Sequence, residues 1–148
     1  MDRTMDEIRK WQPLARMEHA TAEEFRRRIE AVMAVILPHA KLTVIPYIGV
    51  PEVVEYCSEE VIGLCPVTFL PDLYKIKIRF VPDQYIPELK SLKFYLGDYR
   101  ELPISHEHFA SKVYTEVRAQ VEPVKMGLEL GVAIRGGIRT TIYVGDPV

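Results

Sequence analysis

Residues 73–81, LYKIKIRFV, alternate without a break. Tyr74, Ile76, Ile78 and Phe80 fall on one side, Lys75, Lys77 and Arg79 on the other. A period of two, with one apolar and one cationic face, is the pattern of an antiparallel strand buried on a single face. Pro82 ends it, because proline cannot donate to a strand ladder. The rest of the chain has to supply the remaining strands and a cover for the apolar face.

From residue 52 the reading is strand, strand, helix, helix, strand, strand. Residues 41–48 are β-rich, 52–57 are a strand candidate, and 59–64 lead to Cys65. Pro87 starts a helix over 88–99. Ser105 caps a second over 106–121, stopped by Pro123. Residues 126–135 and 139–144 read as a hairpin around Gly136-Gly137. Upstream, residues 2–12 read as a short helix ending before Pro13. Thr21-Ala22-Glu23-Glu24 is a capping box, and Phe25, Ile29, Val32, Met33 and Ile36 recur at helical spacing, so 21–37 is an amphipathic helix ended by Pro38. Arg26, Arg27 and Arg28 read as its solvated face, since acidic residues interleave. The expected organisation is a helical extension over 1–48 and an α+β domain over 49–148.

A length of 148 residues suits one domain with a real core. Hydrophobic residues at 48% and charged residues at 27% leave no sign of disorder. A net charge of −2 gives no bulk attraction for nucleic acid. The longest apolar run, 31–38, is too short to span a bilayer. The first residues, MDRTMDEIRKW, are charged throughout and lack the apolar stretch of a secretory signal. The expectation is a cytoplasmic protein whose two cysteines, Cys57 and Cys65, are free thiols.

Four groups of residues could carry chemistry. Cys65 precedes Pro66, so its backbone is held extended, and a thiol there is either a nucleophile or a small core residue. Asp72 opens the strand just described, as a proton donor or as a turn aspartate. His106-Glu107-His108 begins a helix. Glu107 could accept from the donor edge of a heterocycle and His106 could handle a proton, or the acid could simply complement the helix start. Lys90, Lys93 and Arg100, with Arg135-Gly136-Gly137 on a turn, suit phosphate groups; otherwise the lysines form a solvated face. No metal is expected. Cys57 and Cys65 do not form a CxxC pair, and His106 and His108 lie two apart on a helix. No G-x-G-x-x-G follows a strand, which excludes a Rossmann dinucleotide site.

Together these residues resemble the NADPH-dependent 7-cyano-7-deazaguanine reductases of queuosine biosynthesis, nitrile reductases of the tunnel-fold superfamily. The family's lysine-rich segment is met by Glu88-Leu89-Lys90-Ser91-Leu92-Lys93-Phe94-Tyr95. Its Leu-Cys-Pro and Pro-Asp are met by Leu64-Cys65-Pro66 and Pro71-Asp72, its His-Glu by His106-Glu107, and its Arg-Gly-Gly by Arg135-Gly136-Gly137. The likeness covers residues 52–147. The family's usual Thr-Gly-Gln-Pro-Asp is Thr68-Phe69-Leu70-Pro71-Asp72 here.

The resemblance implies a tunnel-fold subunit, a four-stranded antiparallel sheet with two helices inserted between strands two and three. It implies a homo-oligomer of stacked rings, a decamer, with active sites between neighbours. It implies Cys65, Asp72 and His106 as catalytic residues, with Cys65 forming a thioimide. Glu107 would bind the base, and Glu88, Lys90, Ser91, Lys93, Arg135 and Gly136 would bind NADPH. Two other readings stand beside it. One is an archaeosine synthase-like amidinotransferase, which adds ammonia to the cyano base in tRNA through the same thioimide. The other is a non-catalytic tunnel-fold protein that binds a purine or pterin.

Overall fold

The computed structural model describes residues 5–17 and 21–148. The alternating segment is strand β3, Pro71–Val81. Its buried set is Asp72, Tyr74, Ile76, Ile78 and Phe80, so the carboxylate lies on the same face as the core residues. β2 (Val54–Leu64), β3, β5 (Lys125–Arg135) and β6 (Ile138–Gly145) form one sheet in the order β2-β3-β5-β6, and every neighbouring pair is antiparallel. β5 adds Met126, Leu128, Leu130 and Val132 to the buried face.

Two helices, α3 (Leu89–Gly97) and α4 (His106–Val121), fall between the second and third strands of this sheet. This is the α+β arrangement expected of the tunnel fold. α4 begins where the Ser105 side chain accepts from the His108 amide, and ends in left-handed Glu122 just before Pro123. Phe109, Ala110, Val113, Val117 and Val121 form its buried stripe.

Several elements differ from the sequence reading. The strand expected over 52–57 runs on to Leu64, irregular between Ser58 and Val61, because a bulge absorbs one extra residue while pairing with β3 continues. Only Val44–Pro46 (β1) of the β-rich stretch is a strand. It pairs with β4 (Tyr85–Pro87), a three-residue strand hemmed by prolines. The helix expected over 88–99 stops at Gly97 and passes into a 3₁₀ turn, Asp98–Glu101.

The N-terminal helices are also shorter than expected. α1 is Met5–Ile8; residues 2–4 of its expected span lie outside the described residues. α2 is Ala22–Ala34, capped by Thr21 as its capping box implies, and it is turned differently from its apparent apolar stripe. Phe25 and Ile36 are exposed, while Arg28 is buried beside Ala31 and Val32. Arg28 is therefore not part of a solvated face. Its Nη1 donates to the Gln12 carbonyl at 2.7 Å, its Nε reaches Glu24, and its guanidinium stacks 4.9 Å from the centroid of the Trp11 ring. A planar cation can be satisfied on its edge and stacked on its face at once, which favours arginine at this buried position.

The extension shares the core of the sheet: Met5, Ile8, Val32, Val35, Leu37 and Leu42 join the same apolar cluster. Lys112 of α4, fully buried, donates to the carbonyls of Met33 and Val35 at 3.0 and 2.9 Å and to Glu116 at 3.2 Å. It caps the end of α2 with a cation, where the helix dipole favours one.

Candidate active site

Cys65 lies at the junction of β2 and β3. Its amide donates to the Leu70 carbonyl at 2.9 Å and its carbonyl accepts from the Phe69 amide at 2.8 Å, which closes residues 65–70 into a tight loop. Phe69 takes the left-handed conformation, φ 59°. Glycine adopts it without penalty; a residue with a Cβ pays about 1–2 kcal/mol. The loop thus keeps the backbone that the family's glycine allows, with a bulky residue in its place. The segment before α4 docks on the same strand end. Pro103 bridges to Leu64, and the Ile104 amide donates to the Leu64 carbonyl at 3.1 Å. With Ser105 as cap, this puts His106 at the mouth of the β2–β3 junction.

Asp72 is only 1% exposed. Its Oδ1 accepts from Arg135 Nη1. Its Oδ2 is buried without a hydrogen-bond partner and lies 3.7 Å from His106 Nδ1. A buried carboxylate oxygen left unpaired costs about 1–3 kcal/mol or more, so its retention points to use in chemistry. Tyr74 stands two residues further on the same face, its hydroxyl 3.5 Å from His106 Nδ1. Burial pushes this phenol far above its usual range, and the charges of Asp72, Glu107 and Cys65 add to the shift while Arg135 opposes it. Tyr74 therefore stays neutral and can donate. Gly63 pairs with Asp72 across the strands, and a Cβ there would come within 2.5 Å of the Tyr74 ring. The ring lies over β2 because that position has no side chain.

Cys65, Asp72, Tyr74, His106, Glu107 and Arg135 thus gather at one end of the sheet. They offer a thiol nucleophile, a carboxyl with an open oxygen, an imidazole, a neutral hydroxyl donor and an exposed acid. Tyr74 was missed by sequence reasoning, which counted it with the core face. Its spacing of two from Asp72 on a period-two strand was the available signal. His108 turns away, its Nδ1 paired with Ser105 Oγ.

The lysine-rich segment lies elsewhere. Glu88 is the N-cap of α3, accepting from the amides of Lys90 and Ser91 at 2.7 and 2.8 Å. These two bonds, first that to Lys90, hold its carboxyl below its ordinary value. Ser91 Oγ donates to the Glu88 carbonyl and accepts from the Thr43 amide, tying the helix to β1. Lys90 lies over the Phe94 ring at 5.8 Å. Lys93 and Arg100 line a groove of about 500 Å³ between α3 and β2, which runs along β2 from Tyr56 to Val61. At 3.3 Å per residue, Cys65 lies about 13 Å beyond Val61. The fold does not bring Lys90 and Lys93 to Cys65 within one chain. It brings Arg135 to Asp72 instead, because the Gly136-Gly137 turn, both residues at positive φ, aims the hairpin tip at the start of β3.

A family model described as QueF-like protein matches residues 71–147. The NADPH-dependent 7-cyano-7-deazaguanine reductase of Caldicellulosiruptor bescii is 42% identical over 104 residues, which cover 68% of this chain and 79% of that protein. A protein of the same name from Chlorobium chlorochromatii is 38% identical over 91 residues, covering 62% and 78%. The crystal structure of the archaeosine synthase QueF-Like in the apo form matches with a TM-score of 0.61, over 66% of this chain and 96% of that one. At 18% identity that likeness is one of fold alone.

Proposed function

The chain belongs to the QueF-like protein family, and from that premise we propose that it reduces the nitrile of 7-cyano-7-deazaguanine to the aminomethyl base with NADPH, in queuosine biosynthesis. The observation that carries this reading is a thiol at the end of β2 beside a buried carboxyl at the start of β3, with one carboxyl oxygen unpaired and facing an imidazole.

The Cys65 thiolate adds to the nitrile carbon, and the nitrile nitrogen takes a proton from Asp72, giving a thioimide. NADPH, when bound, supplies a hydride in each of two successive reductions. Between them the carbon–sulfur bond breaks, the thiolate is regenerated and an imine is left for the second reduction. His106 returns protons to Asp72 from Nδ1, with the Tyr74 hydroxyl beside the same nitrogen. Glu107 accepts from the amino and ring N–H groups of the base.

The cationic side chains fit a cofactor that carries phosphates. Glu88 and Ser91 set the first turn of α3, which presents Lys90 and Lys93. Arg135, which pairs with Asp72, and Gly136 would complete the phosphate grip. Lys93 of α3 lines the groove beside Tyr56 to Val61 of β2, well short of Cys65, which supports sites completed by neighbouring chains, as in the homo-oligomer of stacked rings, a decamer, that the resemblance implies. β2 and β6 are the free edges of the sheet within the chain, and pairing them between copies would satisfy both. No helix among the described residues is long and apolar enough to cross a membrane. The two free thiols fit a reducing, cytoplasmic setting.

The test is nitrile-dependent loss of NADPH absorbance, with intact-protein mass spectrometry of the adduct formed without cofactor. Both signals are expected. An adduct that ammonia converts to an amidine while NADPH stays unused would replace the reductase with the amidinotransferase. Nitrile binding without an adduct would leave a binding protein.

A further inference from the structure

We infer that residues 12–17 of the N-terminal extension are a brace that holds the nucleophile loop in its reactive shape, with Arg28 as the positioning residue that fixes the brace. The Leu14 and Ala15 amides donate to the carbonyls of Pro66 and Val67, at 3.1 and 2.9 Å. Those carbonyls belong to the two residues that follow Cys65. Pro66 has no amide of its own, so its backbone can be gripped only through its carbonyl. The grip matters because the loop ends in left-handed Phe69, a conformation that a bulky residue tends to abandon.

The brace is itself anchored. Leu14 is buried, and Pro13 holds an extended backbone, φ −55° and ψ 142°. Buried Arg28 donates to the Gln12 carbonyl at 2.7 Å and stacks on Trp11. Arg9 pairs with Glu101, beyond α3, at 2.8 Å. Arg28 thus reaches Cys65 through Gln12, Leu14 and Pro66, without touching the site. The family model matches residues 71–147, so the brace lies outside it. The inference rests on Cys65 as the nucleophile of the proposed reaction.

The test uses the full chain. Leu14→Pro removes one brace amide at the first position of a 3₁₀ turn, where proline fits. Leu14→Ala keeps the amide and trims more of the side chain. At saturating nitrile, adduct formation should be roughly tenfold or more slower in Leu14→Pro than in Leu14→Ala, because small misplacements of a nucleophile are costly. The Michaelis constant for NADPH should match between the two. Arg28→Met should reproduce the slow adduct, and Arg28→Lys should recover part of the rate, which keeps the inference testable if Leu14→Pro fails to fold. Alkylation of Cys65 by iodoacetamide, followed by peptide mass spectrometry across pH, reads the loop without substrate and should show an altered rate and pH profile in the slow variants. Equal adduct rates and equal alkylation profiles across all four variants would overturn the brace. Wild-type protein that forms no adduct would overturn the reductase reading instead, and the alkylation profiles would still decide the brace.

Discussion

His106 Nδ1 lies 3.7 Å from Asp72 Oδ2, the buried carboxylate oxygen that lacks a hydrogen-bond partner. The two residues belong to different elements, the first turn of α4 and the start of β3. They meet because residues 103–104 dock on the end of β2. The carboxyl thus has a proton partner within reach of its unpaired oxygen, while Arg135 holds the other.

Asp72→Asn should slow adduct formation by about 10²–10⁴-fold, the range for a lost general acid, while the affinity for the nitrile base changes little. The acid acts on charge that appears only during attack. Single-turnover rates beside equilibrium binding separate the two. Parallel losses in rate and affinity would make Asp72 a structural residue that holds Arg135.

The left-handed Phe69 makes an unusual stability series. Phe69→Gly relieves about 1–2 kcal/mol of backbone strain. It also gives up some apolar burial, about 1 kcal/mol for a half-buried ring, and about 0.5–1 kcal/mol of chain entropy. The net change should lie within about 1 kcal/mol of wild type. Phe69→Ala keeps the strain and loses the ring, so it should melt lower than both. Phe69→Val should be worst, since a β-branched residue resists positive φ. Thermal melts of the three variants check the order, and a valine variant as stable as the glycine one would mean that the loop does not hold this conformation.

Much of the fold was legible because local signals were strong. The alternation over 73–81, the Ser105 cap, the stop at Pro123 and the Gly136-Gly137 turn each act within a few residues. Cys65 and Asp72 could be placed at adjoining strand ends for the same reason. Other features depended on distant partners. β1 and β4 are three residues each and exist only through each other. Arg28 looks solvated until Gln12 and Trp11 are folded against it. Arg135 meets Asp72 through the β3–β5 register, in which Tyr74 pairs with Val132, and no local pattern encodes that number.

Glu88 gives a pH-dependent prediction. Its carboxyl is held below its ordinary value near 4.5 by the Lys90 amide first and the Ser91 amide second. A lowered folded-state value means that the cap's contribution is fully present above pH 4.5 and is lost as pH falls through the lowered value. Glu88→Gln should therefore melt below wild type at neutral pH, with the gap closing as the solution is acidified below pH 4.5. A gap of constant size from neutral to strongly acidic pH would show that the carboxylate charge does not support the cap.

The last prediction concerns Lys90 and Lys93, three apart in sequence on α3 and so able to reach one anionic ligand. Lys93 opens onto the groove along β2, far from Cys65 of its own chain. If the cofactor phosphates lie on this helix, replacing both lysines with alanine removes two charge-assisted contacts. At about 1.5–3 kcal/mol for one such contact, the Michaelis constant for NADPH should rise at least tenfold. Adduct formation from the nitrile should proceed at the wild-type rate, because Cys65, Asp72 and His106 are untouched. The split is the informative part. A double variant slowed equally in adduct formation and in cofactor use would mean that α3 supports the nucleophile loop or the assembly, and the lysines would lose their assignment to the cofactor. Sedimentation of the variant beside wild type separates those two cases, since only a role in assembly would change the size of the oligomer.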